Sequence, residues 1–151
     1  MDNITGLLTT VLSIIGKALV VYLIVMIALY ILYIVGAWKT FVKAGESGWK
    51  SIIPFYNTYI TYKISWKAYM YWIYLAVGII NIITMRMDSS FAGVIASIAS
   101  IASFVLIVMR NYKLSKSFGH GVGFTIGLTF LINIFMPILG LGSSQYIGPQ
   151  E

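Results

Sequence analysis

The sequence contains no cysteine, one histidine and only four acidic residues among its 151. Without cysteine there are no disulfides or thiolate metal sites, and His120 alone cannot form a histidine cluster. Charged residues make up only 9% of the chain, whereas an ordinary globular domain has about a quarter. So few charges cannot cover the surface of a water-soluble fold, and the composition therefore predicts an integral membrane protein.

The excess of basic over acidic residues does not indicate a nucleic-acid partner. Lysine and arginine number ten and give a formal net charge of +6. Their clusters border long apolar runs, and basic residues at such borders are retained on the cytoplasmic side of a membrane. We therefore predict membrane lipids as partners, and no nucleic acid.

Apolar runs dominate the chain, which is 60% hydrophobic with a mean hydropathy of +0.92. A spanning helix needs about 20 residues. The predicted fold is an all-α integral membrane domain, one domain over residues 1–151, with four transmembrane helices near 18–38, 68–85, 91–109 and 122–139. Residues 4–16 are predicted either as a short interfacial or helical lead, or as part of one long tilted helix that begins near Leu7.

Residues 45–66, between the first and second spans, are too polar and too short to cross a membrane. Gly45 and Gly48 interrupt helical continuity, and Pro54 is suited to the first turn of a short helix. We predict an interfacial or re-entrant helix, which either lies among the headgroups or dips part-way into the lipid. Its predicted lipid- or protein-docking platform consists of Trp49, Lys50, Pro54, Tyr56, Asn57, Tyr59 and Trp66.

The third span has small residues on one face and branched residues on the other. Small side chains at every third or fourth position let two backbones approach closely, and close packing holds helices together in lipid. We predict a buried helix–helix contact there, within the chain or between copies. The residues of this face are Ala92, Gly93, Ala96, Ala99, Ser100 and Ser103.

Asn81 and Asn133 are polar residues inside the second and fourth spans. A side-chain amide in lipid is costly unless it is hydrogen-bonded, so both are expected to contact other helices. Alternatively, they line a polar path together with the tyrosines of the first helix. No acidic residue lies within a span, which disfavours a carrier that uses an intramembrane carboxylate.

The basic residues also predict the orientation of the chain. The connection 39–67 holds five lysines, and the connection between the third and fourth spans holds Arg110, Lys113 and Lys116. Four spans with both of these connections inside place both termini outside the cytoplasm. The predicted location is the cell (inner or cytoplasmic) membrane, crossed several times.

No motif indicates catalysis or a cofactor. Gly119, Gly121 and Gly123 loosely resemble a phosphate-binding loop, but such a loop follows a strand, and a P-loop ends in glycine-lysine-serine or glycine-lysine-threonine. A serine–lysine dyad needs a desolvated lysine, whereas the lysines here lie at membrane borders. We predict no enzymatic activity, no metal site and no cofactor.

Four segments resemble a family of small, uncharacterised, mostly bacterial integral membrane proteins, some of which are labelled signal peptidase I. These segments are K-A-G-E-S-G-W-K-S-I-I-P-F-Y-N, G-I-I-N-I-I, K-L-S-K-S-F-G-H-G-V-G-F and P-I-L-G-L-G-S-S-Q-Y-I-G-P, and they spread over residues 39–149. The resemblance implies a four-helix membrane domain and no activity. The peptidase label does not fit this chain, which has no serine-methionine motif and no room for that enzyme's large β domain. The turn Met85–Asp88 departs from the family's more apolar link.

The leading functional hypothesis is a non-catalytic membrane protein that acts by helix-mediated self-association, or as a subunit or accessory of a membrane complex. The predicted contact is the small-residue face of the third span. A small carrier or channel is one alternative, and an immunity or accessory protein for a membrane-active peptide is another.

Overall fold

A computed structural model describes residues 2–151. Over that range the chain is helical and has no β-strand, which confirms the all-α prediction for the described residues. The elements are α1 (Asp2–Lys43), a 3-10 helix (Gly48–Ser51), α2 (Pro54–Ser65), α3 (Tyr69–Thr84), α4 (Ser90–Ser117), α5 (Val122–Phe130) and α6 (Ile132–Leu141).

Two of these helices, α1 and α4, are long and apolar enough to cross a membrane, and α3 and α6 are apolar but shorter. The predicted spans 18–38 and 91–109 lie within α1 and α4, and 68–85 nearly coincides with α3. α1 and α4 continue past the predicted borders because a polar side chain ends an apolar run without ending a helix. α4 keeps Arg110, Lys113 and Lys116 on its last turns, where a polar connection was predicted.

α1 is one uninterrupted helix of 42 residues, about 63 Å long at 1.5 Å per residue. It includes residues 4–16 and begins before Leu7, so these residues are helical, as both a helical lead and one long helix would have them. Its side chains are exposed from Leu7 to Ala28, and burial begins only near Gly36 and Phe41. The chain leaves the helix through Gly45, whose φ of 78° suits a residue without a side chain.

The 3-10 helix and α2 form a short hairpin over residues 46–65, which we call hairpin A. Glu46 pairs with Lys63 at 2.6 Å and the Trp49 ring lies 6.1 Å from the Tyr56 ring, so the two arms run antiparallel. The bend is closed by Asn57, whose Nδ2 donates to the carbonyl of Ser51 at 2.7 Å. The tip is apolar and exposed, and it consists of Ile52, Ile53 and Phe55.

α5 and α6 form a second hairpin over residues 122–141, which we call hairpin B. The Phe124 and Phe135 rings lie 5.1 Å apart, although a continuous helix would separate these Cα atoms by about 16 Å. A Cβ on Gly127 would overlap the Phe135 ring, so the missing side chain permits this close return. The structure thus has two helices, broken at Leu131, where one continuous helix over 122–139 was predicted.

The open ends of both hairpins, the end of α4 and the C-terminal tail meet beside the end of α1, at what we call the basic end. Lys43 Nζ donates to the carbonyl of Gly142 at 2.7 Å, just after α6. The N–H of Ile147 donates to the carbonyl of Ser117 at 2.8 Å, at the end of α4. The tail therefore lies at the opposite end of the molecule from the start of α1.

The hydrophobic core lies near the basic end, between α1, α2, α4 and the two helices of hairpin B. Its buried members are Ala37, Phe41, Ile60, Ile64, Leu114, Phe118, Leu128, Met136 and Leu139. α1 and α6 pack backbone against backbone, since a Cβ on Gly36 would overlap the backbone of Pro137. Small residues that let helix backbones touch are the usual means of helix packing in lipid.

Candidate functional site

A continuous row of aromatic rings runs from hairpin A onto α3, and we call it the aromatic strip. It consists of Trp49, Tyr56, Tyr59, Tyr71 and Trp72, whose successive ring centroids are 5.4–6.1 Å apart. Tyr56 and Tyr59 are stacked, and Tyr59 meets Tyr71 edge-on. These spacings are typical of favourable aromatic pairs, so the strip fixes α2 against α3.

Three ionic side chains lie beside the strip. Glu46 accepts from Lys50 at 2.5 Å and pairs with Lys63 at 2.6 Å. These two ammonium groups lower the pKa of the Glu46 carboxyl, and Glu46 in turn raises the pKa of Lys63. Lys50 Nζ also lies 5.7 Å from the ring centroid of Tyr56. The trio carries one net positive charge at the edge of the aromatic strip.

Two apolar grooves lie between α2 and α3, and they share the side chains of Phe55 and Tyr71. The larger, about 510 Å³, is lined by Ile53, Phe55, Tyr56, Tyr59, Tyr71 and Trp72. The smaller, about 330 Å³, is lined by Pro54, Phe55, Thr58, Tyr71, Tyr74, Leu75, Gly78, Ile79, Ile82 and Ser103. The larger groove therefore follows most of the aromatic strip.

The structure separates the residues of the predicted docking platform. Trp49, Lys50, Tyr56 and Tyr59 lie together at the aromatic strip. Pro54 is at the hairpin tip and lines the smaller groove. Trp66 lies apart, 5.8 Å from Lys113 Nζ.

Asn57, another residue of the predicted platform, is buried and structural. Its Oδ1 accepts from the Tyr33 hydroxyl of α1 at 3.2 Å while its amide group closes hairpin A. Sequence reasoning missed Tyr71 and Trp72, which lie within the predicted second span, 68–85. The signal that could have found them is their position one turn into a helix that directly follows hairpin A.

A second polar cluster ties α4 to hairpin B. Buried Asn111 donates through Nδ2 to the hydroxyl of Thr129 at 3.2 Å, and its Oδ1 accepts from Arg110 Nη2 at 2.9 Å. The Arg110 guanidinium also lies 5.6 Å from the Tyr62 ring centroid. Buried polar groups must be hydrogen-bonded, and this cluster meets that need while it fixes the position of α5.

The two asparagines of the predicted polar path lie in different parts of the fold. Asn81 Nδ2 donates to the Ser100 hydroxyl of α4 at 2.8 Å, the kind of interhelical bond expected for an amide in lipid. Asn133 is half-buried in α6. α3 and α6 share no contact over residues 2–151, and a polar path that includes both asparagines stays a prediction.

α3 covers part of the predicted small-residue face of α4. Ala92 and Ala99 are buried, and Ser100 holds Asn81 of α3. Ala96 and Ser103 are half-buried, whereas Gly93 has open space where a Cβ would stand. A contact within the chain thus uses this face, and a contact between copies through it stays a prediction.

Residues 49–149 match a family of unknown function, DUF5684. The chain belongs to this family. The match begins in hairpin A and covers α2 to α6 and nearly all of the tail, and it leaves out α1. No curated protein and no solved structure matches the chain. The predicted resemblance to a family without an established activity is therefore confirmed over residues 49–149. Because the function of this family is unknown, the match assigns no function to the chain.

Proposed function

We propose that the protein is a non-catalytic, multi-pass protein of the cytoplasmic membrane that acts by helix-mediated association, with a second copy or a larger membrane protein. The proposed contact surface is the first half of α1. The observation that carries the proposal is the length of this helix, which exposes more apolar surface than a bilayer can cover.

The proposed topology has three spans and two re-entrant hairpins. α1, α3 and α4 cross the membrane. α3 has only 16 residues, but Ala68 and Met85 on either side of it are also helical, which brings it to about 27 Å, close to the thickness of the hydrocarbon core. The helices of the hairpins, α2, α5 and α6, have only 12, 9 and 10 residues. Their lengths of about 14–18 Å reach only half-way through a hydrocarbon core of about 30 Å. The exposed apolar tips at Phe55 and Phe130 suit such a depth.

The positive-inside rule orients this arrangement. Eight of the ten basic residues lie within residues 39–67 and 110–116, the segments that meet at the basic end, and only Lys17 and Arg86 lie elsewhere. The basic end therefore faces the cytoplasm, with the N-terminus outside and the C-terminus inside. This revises the predicted extracytoplasmic C-terminus, because hairpin B returns the chain to the side from which it entered.

In this orientation the first part of α1 extends beyond the lipid. From Lys43 to Lys17 the helix is about 39 Å long, which already exceeds the hydrocarbon core of about 30 Å. The residues before Lys17 are nevertheless apolar on one face and polar on the other. The apolar face carries Ile4, Leu8, Val11 and Ile15, and the polar face carries Thr9, Thr10, Ser13 and Lys17.

An apolar face held in water is unfavourable in proportion to its exposed area, and packing against another helix removes that area from water. In the single chain the side chains of Leu8 and Ile15 are each 55% exposed. The small-residue face of α4 is less suited to this role, since α3 already covers part of it. α1 thus replaces α4 as the surface for association.

Native mass spectrometry of gently extracted protein tests this proposal. We expect the wild type to be recovered with a second copy or a larger protein, and the pair Leu8→Asn and Val11→Asn to be recovered as a single chain. The matched control, Thr10→Asn with Ser13→Asn, changes the opposite face and should keep the complex. A wild type recovered as a single chain, or a complex that survives both pairs, would contradict the proposal.

A further inference from the structure

The two grooves between α2 and α3 form one forked apolar cleft. Phe55 and Tyr71 line both grooves, so the two branches adjoin each other. Phe55 is 74% exposed, and Ile79 and Ile82 of the smaller groove are also exposed, so the cleft opens to the side. In the proposed topology the larger groove faces the cytoplasmic half of the lipid, and the smaller groove extends past its middle.

A basic cluster lies beside the larger groove, with Lys50 Nζ 5.7 Å from the ring centroid of Tyr56, and we call this edge the mouth of the cleft. Lys50 and Lys63 share the single carboxylate of Glu46, and the Lys63 side chain is 50% exposed. Each ammonium group has three donors, so neither is saturated by one carboxylate. Lys67 is also exposed and stands four residues before Tyr71 of the cleft. The cluster therefore has positive charge and hydrogen-bond donors to offer an anion.

Two apolar grooves beside a pair of ammonium groups match the chemistry of a glycerophospholipid. A glycerophospholipid carries one phosphate at the headgroup level and two acyl chains below it. Basic pockets between helices on the cytoplasmic side are typical sites for anionic headgroups. Tyrosine rings at the same level offer an apolar face to the chains and a hydroxyl to the headgroup.

We propose that the cleft between α2 and α3 binds one anionic glycerophospholipid, with its phosphate at Lys50 and Lys63 and one acyl chain on each side of Phe55. The proposal rests on the membrane placement proposed above, but not on association through α1. The ammonium groups of Lys50 and Lys63, which one carboxylate does not saturate, favour an anionic lipid over the apolar face of a protein helix.

Titration of the full-length protein in nonionic detergent, followed by native mass spectrometry, tests the charge at the mouth of the cleft. We expect one dioleoylphosphatidylglycerol per chain, bound several-fold more tightly than dioleoylphosphatidylcholine. Lys50→Gln and Lys63→Gln should each weaken phosphatidylglycerol binding about fivefold. Glu46→Gln should strengthen it, because both lysines lose their competing carboxylate. Lys39→Gln makes the same charge change on exposed α1 surface and should have no effect.

A second pair of variants tests the acyl branches. Gly78 lines the smaller groove, and a Cβ there would meet nothing within 4 Å. Gly78→Phe should fill that branch without disturbing the fold and abolish retention of the lipid. Gly93→Phe, also at a site with open space, is the matched control and should retain it. Helicity by circular dichroism and elution as a single species establish that both variants fold.

Three outcomes would overturn the proposal. They are equal binding of the two lipids with no response to the lysine variants, retention of lipid by Gly78→Phe, and displacement of the lipid by glycerol 3-phosphate, which would show a site for free phosphate. The same spectra report the number of chains in the complex. Loss of lipid with an intact complex therefore contradicts this inference alone, and loss of the complex with lipid retained contradicts only the proposed function.

Discussion

At the scale of single residues, a few glycines decide which helices touch. Gly36, Gly127 and Gly140 each stand where a Cβ would overlap a neighbouring element. Gly16 and Gly78 cannot be told apart from these glycines by sequence, but a Cβ on either of them would meet only open space. The distinction is one of surroundings, since only the first group lies where two helices meet.

Gly36→Ala should therefore destabilise the protein, because its Cβ has to displace the backbone of Pro137. Overpacking of this kind typically costs about 1–3 kcal/mol. Gly78→Ala is the control and should be neutral or stabilising by up to about 1 kcal/mol, since alanine favours a helix over glycine. Thermal unfolding midpoints in one detergent compare the two, and equal midpoints would refute the assigned role of Gly36.

At the scale of elements, the two hairpins are the features that set this fold apart from a plain helical bundle. Each is closed by a contact between its arms, the Asn57 amide with Ser51 in hairpin A and Phe135 against Gly127 in hairpin B. Each is then fixed to a long helix, by Tyr33 of α1 and by Asn111 of α4. Polar residues within the fold thus hold the non-spanning segments in place.

Cysteine cross-linking distinguishes hairpin B from a continuous helix, and the natural absence of cysteine makes the background clean. A bis-maleimide too short to span about 16 Å should bridge Phe124→Cys and Phe135→Cys, and intact mass should show one linker per chain. Ser97→Cys and Val108→Cys are also eleven residues apart, on continuous α4, and should each take a separate linker. Two linkers on the 124/135 pair would rule out the hairpin.

At the scale of the whole molecule, the packed part and the projecting part of the chain are separate. The core, both hairpins and the tail lie near the basic end, whereas the first half of α1 extends away from them with exposed side chains. The forked cleft belongs to the packed part and the proposed association surface to the projecting part. Lipid binding and association are therefore independent properties in this fold.

Reporters fused to the two termini should lie in opposite compartments, the N-terminal one outside and the C-terminal one in the cytoplasm. The physical reason is the odd number of spans, three, with hairpin B returning to the basic side. A reporter inserted between Met87 and Asp88, in the turn between α3 and α4, should report the outside and serves as an internal reference. Termini in the same compartment would restore the topology of four spans.

Many residues of the candidate site could be predicted from the sequence, but the way they come together in space could not. Trp49, Lys50, Tyr56 and Tyr59 were predicted as a docking platform from an aromatic and basic composition that suits the headgroup level. Their junction with Tyr71 and Trp72 depends on how hairpin A meets α3. Asn57 lies in the same segment and was predicted to belong to the platform, but its side chain is buried because its amide closes the bend of hairpin A.

The sequence by itself determined the helical class and the apolar lengths of α1 and α4, because these depend on composition and on the polarity of each residue in turn. Only the tertiary structure decided that residues 122–139 fold back at Leu131, a residue with no helix-breaking tendency of its own. That break depends on Phe135 meeting Gly127 and on Gly36 meeting Pro137. The second contact joins residues that are far apart in the chain, and the first forms only once the chain has turned back, so no local pattern of polarity records either.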